Sequence, residues 1–211
     1  MRWILATLLS VFAAQAPNLQ NLPPAYPRVG ATKILDNARV QVWSIAWLKG
    51  NPSPMHRHIY DLLGIYYSPG DRIIISPEGE KRPVSTKAGQ PIFQKRGVTH
   101  IEEGVSDKPL KAVFVELKED GPSGKVVKPA EGAPGTMRDI GTKQLLDSER
   151  GTIWAYSYGF GPDGPRHRHD VDTVVIWILD DGPHVAWVPA GTIHSEENVG
   201  VISEATVIEI K

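Results

Sequence analysis

The residues best equipped for chemistry are histidines, and their spacing is unusual. The 211-residue chain has seven, and two pairs read His-x-His: His56-Arg57-His58 and His167-Arg168-His169. Successive side chains on a β-strand point to opposite faces. His56 and His58 therefore converge while Arg57 faces away, and the second pair repeats this about Arg168. A third histidine follows each pair on a later stretch, His100 after the first and His194 after the second. Imidazole suits zinc, copper, nickel and iron, and three such ligands leave coordination positions for water or substrate. The expected metal ligands are thus His56, His58, His100, His167, His169 and His194. The ion is expected to be divalent: Fe, Mn, Zn, Ni or Cu. His184 stands outside this arrangement and reads as an ordinary structural residue.

The elements that must position these residues are repeated. Leu35, Asp36, Arg39 and Trp43 recur 111 residues later as Leu146, Asp147, Arg150 and Trp154. The same offset carries both histidines of the first pair onto the second, and Asp61 onto Asp172. KAVFVELK, ending at Lys118, resembles EATVIEIK, ending at Lys211. The runs Val40–Trp47, Leu62–Tyr67, Arg72–Ile75, Val113–Leu117, Thr173–Leu179, His184–Val188 and Thr206–Ile210 are short and rich in β-branched and aromatic residues. They read as strands. Gly141–Glu149 and the stretch near Thr32–Ala38 read as brief helical turns. The second copy, at about 70 residues, is marginal alone, so it is expected to pack on the first, with the Pro-rich arm crossing over. The sequence from Glu119 to Ile140, rich in Gly, Pro and Lys, reads as a linker.

Lys and Arg total 23 against 24 Asp and Glu. Without a basic excess, nothing electrostatic favours nucleic acid or an anionic membrane. The chain has no cysteine, which excludes disulfides, thiolate metal sites and thiol catalysis. Its 20 glycines and 18 prolines favour a turn-rich fold over helical bundles. Serine-nucleophile elbows, phosphate loops and HExxH pairs are absent.

With the histidines, the flanking glycines and prolines make the chain resemble the cupin superfamily, in its two-domain bicupin form. Gly50 and Gly161 each precede a His-x-His pair by five intervening residues. Pro189-Ala190-Gly191-Thr192-Ile193-His194, followed by Asn198, matches the second cupin motif from its proline onward. In the first copy Gly89, Gly97 and His100 match, but Lys95 replaces the proline and Gly104 the asparagine. The resemblance implies an all-β fold: two tandem jelly-roll β-barrels joined by a Gly/Pro/Lys-rich linker, each with a metal site in its mouth. The expected divisions are an export signal at 1–16, an arm at 17–31, cupin units at 32–118 and 141–211, and the linker at 119–140.

One departure matters. The family's motif glutamate falls where this chain has Leu62 or Leu63, and Thr173 or Val174. Asp61 and Asp172 lie one place too early, so they read as turn residues, with metal ligation the alternative. Three neutral imidazoles leave a divalent ion its full charge, which favours a small anionic or chelating ligand. Arg166 at the second mouth adds to this, and a glutamate introduced at Val174 is expected to oppose it. Glu102, Glu103, Glu196 and Glu197 read as a solvated turn, and Trp43 and Trp154 as core. The second and third histidines are 42 positions apart in the first copy and 25 in the second. The surplus, around DRIIISPEGEKRPVSTKAGQ, reads as a charged hairpin. The second copy keeps the fuller motif, with Trp177 and Trp187 available to its barrel, and is expected to be the active one.

If catalytic, the protein resembles three-histidine cupin dioxygenases, which are oxidoreductases. The alternatives are a module that binds a small carbohydrate or organic acid without turnover, and a metal-dependent isomerase or lyase. In every case the partner is a small molecule. Arg2, the apolar run Trp3–Ala14 and Ala14-Gln15-Ala16 follow the order of a secretory signal, too short to span a bilayer. The protein is therefore expected to be secreted or periplasmic. Sequencing the mature N-terminus should find it between Ala14 and Asn18; exported protein that keeps Met1 would contradict cleavage.

Overall fold

A computed structural model describes residues 21–119, 124–139, 142–157, 165–195 and 204–211. The proposed signal, Gly161, Glu196, Glu197 and Asn198 lie outside them. The described chain is all-β apart from a 3-10 turn at Met137–Asp139. The first half contains β1 (Ala31–Asp36), β2 (Val40–Trp47), β3 (His56–Arg57), β4 (Asp61–Ser68), β5 (Gly70–Ile75), β6 (Lys81–Thr86), β7 (Pro91–Gln94), β8 (Thr99–Gly104) and β9 (Leu110–Leu117). The second half contains β10 (Thr142–Asp147), β11 (Gly151–Ser157), β12 (His167–Arg168), β13 (Thr173–Leu179), β14 (Gly182–Val188), β15 (Ile193–His194) and β16 (Glu204–Ile210).

Each half is built on a five-stranded antiparallel sheet, ordered β1-β2-β9-β4-β7 in the first and β10-β11-β16-β13-β14 in the second. Smaller sheets carry the histidines: β3-β8-β5-β6 in the first half and β12-β15 in the second. The repeat in sequence is thus a repeat in topology. Among the described residues no sheet closes on itself, so in place of the expected closed barrels each half has open sheets. The extra residues of the first half form the β5–β6 hairpin, as their charge pattern suggests.

Two stretches expected as helical turns are strands, β1 and β10. Each carries a register shift against its neighbour, between Lys33 and Leu35 and between Gln144 and Leu146. The bulge lets adjacent residues face one way, so Ile34 with Leu35, and Leu145 with Leu146, all pack on the core. That breaks the period of two by which a strand is recognised.

The strands of the large sheets sort their apolar residues by alternation. In β4, Leu63 and Ile65 join Val40, Val42, Val113 and Val115 in one cluster with Ile153, Val174, Ile176, Ile208 and Ile210 of the other half. Leu62 and Tyr66 point the opposite way, with Trp43, Trp47 and Phe114, into the interior of the first half. Val175 and Val207 do the same in the second. The halves therefore share the core between their large sheets.

Polar residues close that contact symmetrically. Arg39 of the first half pairs with Asp172 of the second at 2.7 Å, and Arg150 of the second pairs with Asp61 of the first. The remaining oxygen of each aspartate accepts a backbone amide, from Arg96 at 2.8 Å and from Ala190 at 2.9 Å. Both carboxylates are thus engaged away from the histidines, which removes the ligand alternative for Asp61 and Asp172. The other repeated residues also pair. Trp43 and Trp154 donate to Glu116 and Glu209, each at 2.9 Å. Lys118 and Lys211 bind Asp36 and Asp147.

The arm does not cross over. Arg57 donates its amide to the Pro23 carbonyl, and Tyr26 stacks on Trp43, both within the first half. Where the sequence suggests a free linker, residues 124–139 run along the second half. Val127 N–H bonds the Asp170 carbonyl at 2.7 Å, and Arg168 N–H bonds the Gly135 carbonyl at 3.0 Å.

The two ion pairs differ in exposure, and that difference is measurable. The Arg150 side chain is 3% exposed, the Arg39 side chain 20%. Arg150→Ala strands a buried carboxylate and is expected to cost about 3 kcal/mol in urea unfolding. Arg39→Ala is expected to cost nearer ~1 kcal/mol. Equal costs would mean the reciprocal pairs do not carry the contact unequally.

Candidate metal centres

A two-strand ladder places each triplet. β3 pairs with β8 so that His56 lies directly opposite His100, and β12 pairs with β15 so that His167 lies opposite His194. The second histidine of each pair, two residues on, completes the same face. Its backbone is held by the turn before the third histidine. His58 N–H donates to the Val98 carbonyl at 2.9 Å, and the His58 carbonyl accepts from Gly97 N–H at 2.7 Å. His169 does the same with Thr192 and Gly191, at 2.9 and 2.7 Å. Gly97 and Gly191 have φ of 89° and 88°, a left-handed conformation that a side chain would strain.

All six expected residues are therefore assembled as two groups, with their ligand atoms within 4.8 Å of one another in each. The Nε2 atoms of His58 and His100 are 3.3 Å apart. Those of His167 and His169 are 3.1 Å apart, and those of His169 and His194 3.0 Å. His56 and His167 turn Nδ1 to the carbonyls of Pro54 and Pro165, at 3.0 and 2.9 Å. Donating there fixes the tautomer and leaves the Nε2 lone pair facing the group. Buried Nε2 of His56 has no hydrogen-bond partner among the described residues.

These donors fit a metal ion. Two nitrogens each about 2.0–2.1 Å from one zinc would lie roughly 3 Å apart, as the Nε2 atoms here do. Three lone pairs meeting in a buried space cannot all satisfy one another, whereas a cation satisfies all three. Three of the rings are also held neutral. Burial, then the charge of His100, lowers the His58 pKa to about 3. Burial lowers His100 to about 4 despite Glu102. Burial, with His167 and His194, lowers His169 to about 3.

Other expectations need correction. Glu102 is not in a solvated turn: it is 5% exposed, on the same face of β8 as His100. It pairs with Arg28 of the arm at 2.8 Å and with Arg72 of β5 at 3.1 Å. Burial would raise its pKa, but Arg28 and then Arg72 outweigh that and hold it well below the usual carboxylate range. The surrounding signal was Arg28 and Arg72 themselves, two cations in otherwise apolar stretches. Val174 faces the core between the halves, so a glutamate there would not reach the histidines. By alternation Thr173 and Leu62 occupy the inward positions. Trp177 packs in the second interior, but Trp187 packs on the shared core. Arg57 is exposed, as alternation requires, and Arg166 is exposed beside the second group. His184 is half-exposed and bonds Asp181.

No family model matches the chain. The chain is 32% identical over 92 residues to beta-alanine degradation protein BauB of Pseudomonas aeruginosa, covering 44% of this chain and 96% of that one. Among solved structures, the cupin 2 conserved barrel domain protein from Leptotrichia buccalis aligns over 92% of this chain and 93% of its own, with 16% identity and a TM-score of 0.50. AerE from Microcystis aeruginosa aligns over 90% and 98%, with 12% identity and a TM-score of 0.56. The fold is the cupin fold. The cupin fold and the buried triplets together are consistent with bound metal.

The depressed histidine pKa values predict how the metal-stripped cupin responds to acid. Unfolded, these rings take up protons as pH falls through about 6.5. Folded, they refuse them until pH 4 or 3. The unfolded state thus binds more protons, so stability falls with pH below 6.5. From pH 7 to 5 the loss should reach about 2 kcal/mol for each excluded ring. Urea midpoints read this, and a flat profile would show that the rings are not excluded from protonation.

Proposed function

We propose that the protein is an exported bicupin that holds one divalent ion on each triplet and acts on a small anionic or chelating compound. Its units would be residues 32–118 and 141–211, each with a jelly-roll interior between facing sheets. Residues 1–16 serve as the export signal, 17–31 as the first arm, and 119–140 connect the units. The observation that carries the metal reading is the convergence of three imidazoles in each half, all buried but the partly buried His194, with the Nδ1 atoms of His56 and His167 already bound to backbone carbonyls.

The chain's own residues supply orientation and a dry environment. Pro54 and Pro165 carbonyls aim the first ring of each triplet, and the turns at Gly97 and Gly191 seat the other two. A bound divalent ion supplies Lewis acidity and, if redox active, electrons for a dioxygenase-type oxidation. Among the described residues no carboxylate joins the six histidines, so an ion held there would keep its charge and favour an anion. The name of the Pseudomonas relative concerns breakdown of β-alanine, a short carboxylated compound, and supports the same class. The deep burial of the first triplet favours a second reading for that half, binding without turnover.

Elemental analysis of protein purified without chelators or a histidine tag should find two ions per chain. His58→Ala and His169→Ala should each remove one, because a remaining pair encloses an ion poorly. Oxygen uptake by Fe(II)-loaded protein with short β-amino, hydroxy or dicarboxylic acids supports the oxygenase reading. Turnover without oxygen would replace it with an isomerase or lyase, and tight binding without turnover with a binding module. Unchanged metal content in both variants would overturn the metal reading.

A further inference from the structure

The two triplets sit under different lids. Over the first, Tyr26 of the arm lies edge-on to His58 at 6.2 Å between ring centroids and stacks on Trp43 at 5.1 Å. Two residues on, Arg28 enters the interior: its side chain is 7% exposed and its guanidinium lies against the rings of Tyr26 and Trp47. Its anchor is Glu102, which Arg72 holds from the other side while donating to the Tyr66 hydroxyl at 2.6 Å. Ser53 ties this cluster to the triplet, since its hydroxyl accepts from Glu102 N–H at 2.9 Å and lies 3.2 Å from His56 Nδ1. His56, His58 and His100 are all buried.

The second arm, residues 135–138, makes the same backbone bridge to its His-x-His strand, Thr136 to Arg168 where Pro24 meets Arg57. Its inward residue is the uncharged Met137. Its cation, Arg138, stays at the rim, with a side chain 35% exposed and paired to Asp170 and Glu209. His194 is only partly buried.

We propose that the two sites divide the work: the first is a sealed structural metal site that Arg28 locks, and the second is where an outside ligand reaches its ion. This rests on the metal reading above. Arg28 acts as a latch because withdrawing it leaves buried Glu102 with one counter-charge where it had two. Release from the first site must therefore wait for the arm to open, whereas among the described residues the second arm has no such interior anchor.

Zinc-loaded protein mixed with a coloured chelator such as pyridylazoresorcinol tests the division by absorbance. Release should show two phases of equal amplitude, at least about tenfold apart, as expected when one site depends on opening a charge-anchored segment. His169→Ala should lose the fast phase and His58→Ala the slow one. Arg28→Ala should speed the slow phase about tenfold. It should still fold, because Glu102 keeps Arg72 as its partner. Arg28→Lys should restore slow release, and Tyr26→Leu, which spares the ion cluster, should speed it. With cobalt as probe, azide should change the visible spectrum of His58→Ala and leave that of His169→Ala unchanged. One release phase, a slow phase that survives His58→Ala or ignores both arm substitutions, or equal azide responses would overturn the division while leaving metal binding intact. Failure of the unaltered chain to take up zinc would overturn both.

Discussion

β4 has no side that can face water. Leu62 and Tyr66 fill the first interior while Leu63 and Ile65, on the opposite face, meet Ile153, Ile176 and Ile208 of the second half. β13 is built in the same way, with Val175 inward and Val174 and Ile176 toward the shared core. Removing that contact would expose a continuous aliphatic surface on both large sheets, which a soluble fold does not tolerate. The two histidine triplets are held by the small ladders β3–β8 and β12–β15, whose ends run on into these sheets. The chemistry thus depends on an apolar contact that contains no catalytic residue.

The histidines were legible because two simple rules fix them: alternation along a strand, and repetition at a constant offset. Strands carrying clean alternation, such as Val40–Trp47 and Thr173–Leu179, have the bounds their residues suggest. β1 and β10 were not legible, since a bulge sets two apolar residues side by side. Asp61 and Asp172 were visible as repeated residues, but their partners were not. Arg39 and Arg150 repeat too, yet only the folded chain shows each arginine reaching the other half's aspartate. Glu102 was missed for a related reason. Its charge suggests solvent, and the compensating cations lie 74 and 30 positions away in the chain, on the arm and on β5.

The two centres differ less in their ligands than in what surrounds them. Both present three imidazoles with the same backbone supports. The first adds a net positive cluster of two guanidiniums and one carboxylate, packed among Tyr26, Trp47 and Tyr66. Among the described residues the second interior is mostly aliphatic, with Trp154 and Trp177 at its edge. A low-dielectric surrounding strengthens any charge left unbalanced. The same ion would therefore have different ligand preferences in the two halves.

The reciprocal arginine–aspartate pairs have a consequence for ancestry. A contact in which one residue meets a second, and the second's counterpart meets the first's, is the signature of an isologous twofold interface. Such an interface arises between identical subunits. The chain carries it internally, as a homodimer would if its two genes had been joined end to end. Two identical subunits must share every mutation, so neither can specialise alone. Within one chain each half can carry its own residues: the first has Arg28, Arg72 and the β5–β6 hairpin, and the second has the shorter plan.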